Sequence, residues 1–307
     1  MLYHIQRRLL IAIPVVWGVA TIVFSLMHLL PGDPAATMLA QSGGQQAAIE
    51  RLREQLGLNK PLHEQYLHFL SHAIRGDLGE SIWQRKPVVA VLRQQLPATV
   101  ELAVAATILA IVLGISLGVV AAVCHGTVID RLAMLISVVG VSMPIFWSAL
   151  LGIYLFAATL RWLPATGGGD LKHLIMPAAV LGWGAAGSIA RLVRSSMLEV
   201  LRQEYIVAAR AKGLRERIVI VRHALRNALI PAVTMLGMQF SGLLGGTVVV
   251  ETVFSRQGLG RTLVDAIVWK DFPLVQGGVM LIATIWVLVS LVVDVSYAFI
   301  DPRIRYS

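Results

Sequence analysis

Residues Leu9–Leu30 read LLIAIPVVWGVATIVFSLMHLL, and no Asp, Glu, Lys or Arg interrupts the run. About 20 apolar residues in a helix cross a hydrocarbon core about 30 Å thick. Arg7 and Arg8 precede the run in the manner of a signal peptide. It is, however, longer than the roughly 7–15 apolar residues of a signal core, and no A-x-A site closes it. It is therefore expected to persist as a first transmembrane helix with a cytoplasmic N-terminus.

The same pattern recurs at Pro97–Val123, Leu132–Leu160, Leu174–Leu192, Leu229–Val250 and Leu274–Ile300. The expected fold class is all-α, a polytopic membrane protein with six transmembrane helices. Composition agrees: 57% of residues are hydrophobic and 14% charged, and mean hydropathy is +0.75. Soluble domains run nearer 45–50% apolar and about 25% charged. The surplus apolar surface needs lipid to face. Trp162 and Trp269 fall where interfacial anchors belong.

The net charge of +9 raises the question of nucleic acid, and the placement of the charges answers it without one. Six spans put both termini and the connections Cys124–Arg131 and Val193–Ala228 on one side. Val193–Ala228 carries Arg194, Arg202, Arg210, Lys212, Arg215, Arg217, Arg222 and Arg226. Short loops on the other side carry Arg161, Lys172, Arg256, Arg261 and Lys270. The excess of Lys and Arg marks the cytoplasmic side. The expected organisation is a transmembrane helix at 1–30, an extracytoplasmic helical cap at 31–96, and a five-helix core at 97–307 that contains the cytoplasmic loop 193–228. In the cap, Ile49, Leu52 and Leu56, then Tyr66, Phe69 and Leu70, recur at helical spacing.

The loop VRSSMLEVLRQEYIVAARAKGLRERIVIVRHALRNA is long, basic and rich in helix formers. Ala208, Ala209 and Ala211 give a slim face. Gly213 suits a helix C-terminus, because glycine tolerates the left-handed conformation required there. Two readings fit: a surface helix seated in another protein's groove, or a basic helix lying on anionic lipid.

EYIVAARAKGL followed by RHALRNALIP resembles the EAA loop of type I ABC importer permeases, in the branch that serves dipeptides, oligopeptides, glutathione and nickel. LLPGDP, GLNKPLHEQY with GDLGES, ETVFSRQGLGRTLVDAI and DPRIRY, in that order along the chain, extend the resemblance over nearly its whole length. Val207 stands where the general pattern has Glu, and the downstream proline falls later, at Pro231. The resemblance implies a MetI-like permease fold, in which Ala208, Ala209, Lys212, Gly213 and Leu214 couple the chain to a cytoplasmic ATPase. It further implies four partners: a homologous second permease, two ABC ATPases that use ATP and Mg, and an extracytoplasmic substrate-binding protein. The chain itself would be a non-catalytic subunit in the bacterial inner membrane that binds no cofactor and carries dipeptide-like solutes. Arg256, Gly258, Gly260 and Arg261, in the loop after the fifth span, are candidate contacts for the binding protein.

No G-x-x-x-x-G-K-[ST], HExxH or G-x-S-x-G occurs in the sequence, so the phosphate cradle of a P-loop would come from a separate polypeptide. The single cysteine, Cys124, forms no intrachain disulfide. His68 and His72 are spaced i,i+4 but read as a solvated helix face, and no metal site is assigned. Asp294 lies within the sixth span and reads as a structural intramembrane charge, the bland counterpart of a proton relay. An ion-coupled secondary transporter is the alternative function, with Asp294 as its chief support. A membrane-embedded enzyme would need convergent polar groups at one depth, which the sequence does not offer.

Overall fold

Each apolar run folds as a helix, because lipid offers no partner to a backbone N–H or C=O and only a helix satisfies both within one segment. The computed structural model describes residues 2–29, 50, 53–54 and 58–300. Helix α1 spans Leu2–Leu29, α2 Leu62–Ile74, α3 Val88–Val123, α4 Val128–Ser142 and α5 Ile145–Gly152. Then come α6 at Leu171–Leu201, α7 at Glu204–Ala211, α8 at Leu225–Val253, α9 at Leu259–Val268 and α10 at Phe272–Ile300. Among the described residues the β structure is one isolated antiparallel bridge, Glu80 with Pro87.

By length and hydropathy α3, α6 and α10 qualify as spans, and α4 with α5 counts as a broken fourth. Helices α1 and α8 carry shorter apolar stretches, Leu10–Leu26 and Gly242–Val253. The third expected span is not one helix. Its halves, Val128–Ser142 and Ile145–Thr159, meet at 112°. Pro144 is the cause: it lacks an N–H, and it forces the preceding Met143 into an extended conformation, ψ 131°. The second half starts afresh at Ile145 and continues α5 as a π-helical turn over Ile153–Thr159. The second span is longer than its apolar run. Helix α3 starts at Val88, immediately after Pro87, and has 36 residues, or about 54 Å at 1.5 Å per residue.

The chain divides into two compact units. One comprises Met1–Ala98 and Gly258–Leu291. In it α2 is fastened to α1 by two neighbouring side chains. Tyr66 Oη lies 2.6 Å from Thr21 Oγ1, and Gln65 Oε1 lies 3.1 Å from His28 Nε2. Gln65 also donates from Nε2 to the Lys60 carbonyl at 2.8 Å, so the KPLHEQY segment fixes its own turn and its anchor together. The Gly76–Ser81 stretch, GDLGES, turns through left-handed glycines at Gly76 and Gly79, each with φ +77°. Its Ser81 donates to the fully buried Asp271 carboxylate at 2.5 Å. Asp271 also accepts from the Trp83 N–H at 3.1 Å and the Leu274 N–H at 3.2 Å, the latter capping the first turn of α10. Trp83 and Trp269 stack beside it with ring centroids 4.2 Å apart.

The other unit comprises Thr99–Gln257 and Val292–Ser307. Its axis is α6, packed against α3, α4 and α8 through a core that includes Leu102, Leu181, Ile189, Val193, Met197 and Val250. Glycine makes this packing close. A Cβ on Gly182 would lie 2.5 Å from the Ala106 carbonyl oxygen, and one on Gly187 would lie 2.2 Å from that of Ser137. Gly114 and Gly118 face α6 in the same way, at Ile189 and Ala190. The small-xxx-small spacing brings helices together here as it does in other membrane bundles.

Candidate functional site

Residues Val193–Ala228 fold as the end of α6, the short helix α7, a turn at Glu216–Ile218, a π-helical stretch Val219–Ala224 and the start of α8. Helix α7 has two faces. Ile206 and Ala209, three residues apart, are buried in the same core as Met197, Val219 and Ala224. Tyr205, Val207, Ala208 and Ala211 are exposed. The alanine pair is thus divided: Ala209 lets the helix settle on its own unit, and Ala208 keeps the outer surface low.

Gly213 ends the helix at φ +75° with open space around its Cα. Its N–H donates to the Arg210 carbonyl at 2.9 Å, and the Lys212 N–H to the Ala208 carbonyl at 3.1 Å. Lys212 and Leu214 are exposed beside it. The turn is clipped by Arg210, which donates from Nη2 to Glu216 Oε1 at 2.6 Å and from Nε to Oε2 at 3.2 Å. The Arg210 guanidinium holds the Glu216 carboxyl below its usual range. Asn227 donates to Tyr205 Oη at 2.7 Å and ties α7 to α8. The result is a basic step on which Val207, Leu214, Ile218 and Val221 expose apolar surface.

The unit holds two further polar anchors that sequence reasoning missed. Arg194, which the sequence presents as one of the basic residues of the Val193–Ala228 loop, grips the buried Asp130 at the start of α4. Thr127, the N-cap of α4, was the available signal: in Thr-x-x-Asp the acidic residue belongs to a helix start. In the second anchor, Arg256 is buried and donates from Nη2 to Glu101, while Thr99 donates to the fully buried Glu251 at 2.6 Å. Gly258 and Gly260 are also buried. Of the four candidate contacts for a binding protein, Arg261 alone presents appreciable side-chain surface, 37% exposed. Asp294 lies on α10, and its side chain falls outside the described residues, as do Ile49, Leu52, Leu56, most of LLPGDP and all of DPRIRY.

Residues 1–103 match the family described as "Binding-prot-dependent transport system membrane comp, N-term", and residues 111–306 match "Binding-protein-dependent transport system inner membrane component". The chain is 43% identical to the dipeptide transport system permease protein DppB of Alkalihalophilus pseudofirmus and 42% identical to the glutathione transport system permease protein GsiC of Escherichia coli K12, with all of each chain covered. Among solved structures it resembles the MetNI methionine ABC transporter in its inward-facing form. That match has a TM-score of 0.56 at 20% identity and covers 69% of this chain and 97% of the other. An amino acid ABC transporter solved with histidines gives a TM-score of 0.52 at 16% identity, covering 70% and 94%. These two likenesses show the fold, and the full-length relatives show the family. The chain belongs to the binding-protein-dependent transport system inner membrane components: it is a multi-pass, non-catalytic permease subunit of an ABC importer.

Proposed function

We propose that this subunit translocates short peptides or closely related amide-bearing solutes, and that α7 with Lys212, Gly213 and Leu214 receives the stroke of a separate ATPase. The relatives named for dipeptide and glutathione transport support the solute class. The two-faced α7 supports the coupling role: it is fixed to its own core through Ile206 and Ala209 and presents an uncovered slim face. Closure of two ATPases around ATP and Mg pushes on that face, and the packed α6 and α8 carry the motion outward by biasing a two-state element. This chain holds neither the nucleotide nor the metal.

The partners in this reading are a homologous second permease, two ATPases and an extracytoplasmic binding protein. Both termini and α7 lie on the cytoplasmic side. In the Arg256–Arg261 segment, Gln257 and the partly exposed Arg261 are the surface that would meet the binding protein. A photo-crosslinking side chain at Val207 or Leu214, in membranes holding the whole transporter, tests the central claim. Capture of the ATPase is the expected result. Capture of lipid alone assigns the step to the membrane surface and overturns the coupling role.

A further inference from the structure

An open cleft of about 340 Å³ is lined by residues of the first unit alone, between α1, α2, the Gly76–Ser81 turn and the start of α10. Its apolar wall is aromatic. Phe24 stacks on Phe69 with centroids 5.9 Å apart, and Phe272 closes the space near His28. Gln276 reaches this wall from the second turn of α10. It is 9% exposed, it lines the cavity, and its carboxamide makes no hydrogen bond among the described residues. It is an exception among its neighbours. Gln65 is held at both ends of its amide, and Asp271 accepts from three donors. An amide that opens onto a cleft with no partner from its own chain can pair with whatever occupies the cleft.

We infer that this cavity is a solute subsite for a peptide-type ligand, with Gln276 pairing to the ligand's amide group. A carboxamide offers one donor and one acceptor side by side, which is the complement of a peptide N–H and C=O. The aromatic wall suits an apolar side chain next to that amide. Lys60 supplies a cation, and Glu54 and Asp77 supply anions, for the ends of a zwitterion, and all three line the same space. The volume lies at the low end of the roughly 300–1,000 Å³ found for small-molecule sites, which limits the ligand to a short one. The inference rests on the peptide-solute reading above and adds a place on this chain where the solute is held, separate from any binding protein.

The test uses the whole transporter in nanodiscs with the binding protein omitted and labelled alanyl-phenylalanine as the probe. Saturable binding is expected, weakened at least tenfold by Gln276→Leu and severalfold by Lys60→Ala. Lys60 is exposed, so the second variant keeps the test valid should the first fail to assemble. Uptake of the same dipeptide by the complete system is measured in parallel. Uptake without saturable binding, or binding indifferent to both variants, removes the subsite and leaves the transport reading intact. Absence of both binding and uptake overturns the two together.

Discussion

Arg194 grips Asp130 with two nitrogens, Nε to Oδ1 at 2.7 Å and Nη2 to Oδ2 at 2.8 Å, and so ties the first turn of α4 to the later part of α6. His125 closes the group, its Nδ1 lying 3.1 Å from Arg194 Nη2 and 3.3 Å from Asp130 Oδ2. The pair stands at the end of the rod that leads to α7. Arg194→Ala strands a buried carboxylate and costs about 3 kcal/mol. The expected readout is a lower unfolding temperature in detergent. The double variant Arg194→Leu, Asp130→Asn recovers part of the loss, because the orphaned charge is gone.

Gly213 separates conformation from chemistry. Its φ of +75° penalises a residue with a Cβ by roughly 1 kcal/mol, least for Asn. Uptake by reconstituted transporter is expected to fall in the order Gly, Asn, Ala, Val at this position, and Gly213→Asp abolishes it while membrane insertion is preserved. Ala208→Trp also abolishes uptake, whereas Ala209→Trp lowers thermal stability first because that position is buried. Equal effects at the two alanines would contradict the two-faced helix.

The clip at the foot of α7 titrates. Arg210 lowers the Glu216 carboxyl, so Glu216 favours the folded turn above the unfolded glutamate's ordinary range, and the contribution fades as pH falls through the lowered folded value. The pair is exposed, so its effect is local ordering of the turn rather than global stability. NMR of the Glu216 carboxyl carbon is expected to show titration below an ordinary glutamate, and Arg210→Ala returns it to that range.

Asp271 carries an optical reporter. Asp271→Asn turns half of a three-donor acceptor into a fourth donor, at a cost of about 2 kcal/mol. It also loosens the turn that stacks Trp83 on Trp269. Loss of the coupled tryptophan signal in near-ultraviolet circular dichroism is expected in this variant and, more weakly, in Ser81→Ala.

The spans were legible because a membrane demands long uninterrupted apolar runs, and Gly213 was legible because a helix stop with that geometry favours one residue type. The 112° corner at Pro144 was not, since proline in an apolar run reads equally as a gentle kink and as a break. The faces of α7 needed the fold: neighbouring residues lie about 100° apart around a helix, so Ala208 and Ala209 cannot share a surface. Arg256 looks exposed in a short loop, yet its partner Glu101 lies 155 residues away. Likewise, the chain near Asp271 gives no hint of Ser81, 190 residues distant. Buried polar pairs of such separation leave no local trace.

Where Gly182 meets the Ala106 carbonyl and Gly187 that of Ser137, main chain rests on main chain. Such seams hold no rotamers to readjust, so they neither creep nor cushion. A displacement arriving at one end of α6 is not absorbed along the way; the neighbouring helices travel with it, and the give must be found at the corners of the bundle, not in its grain.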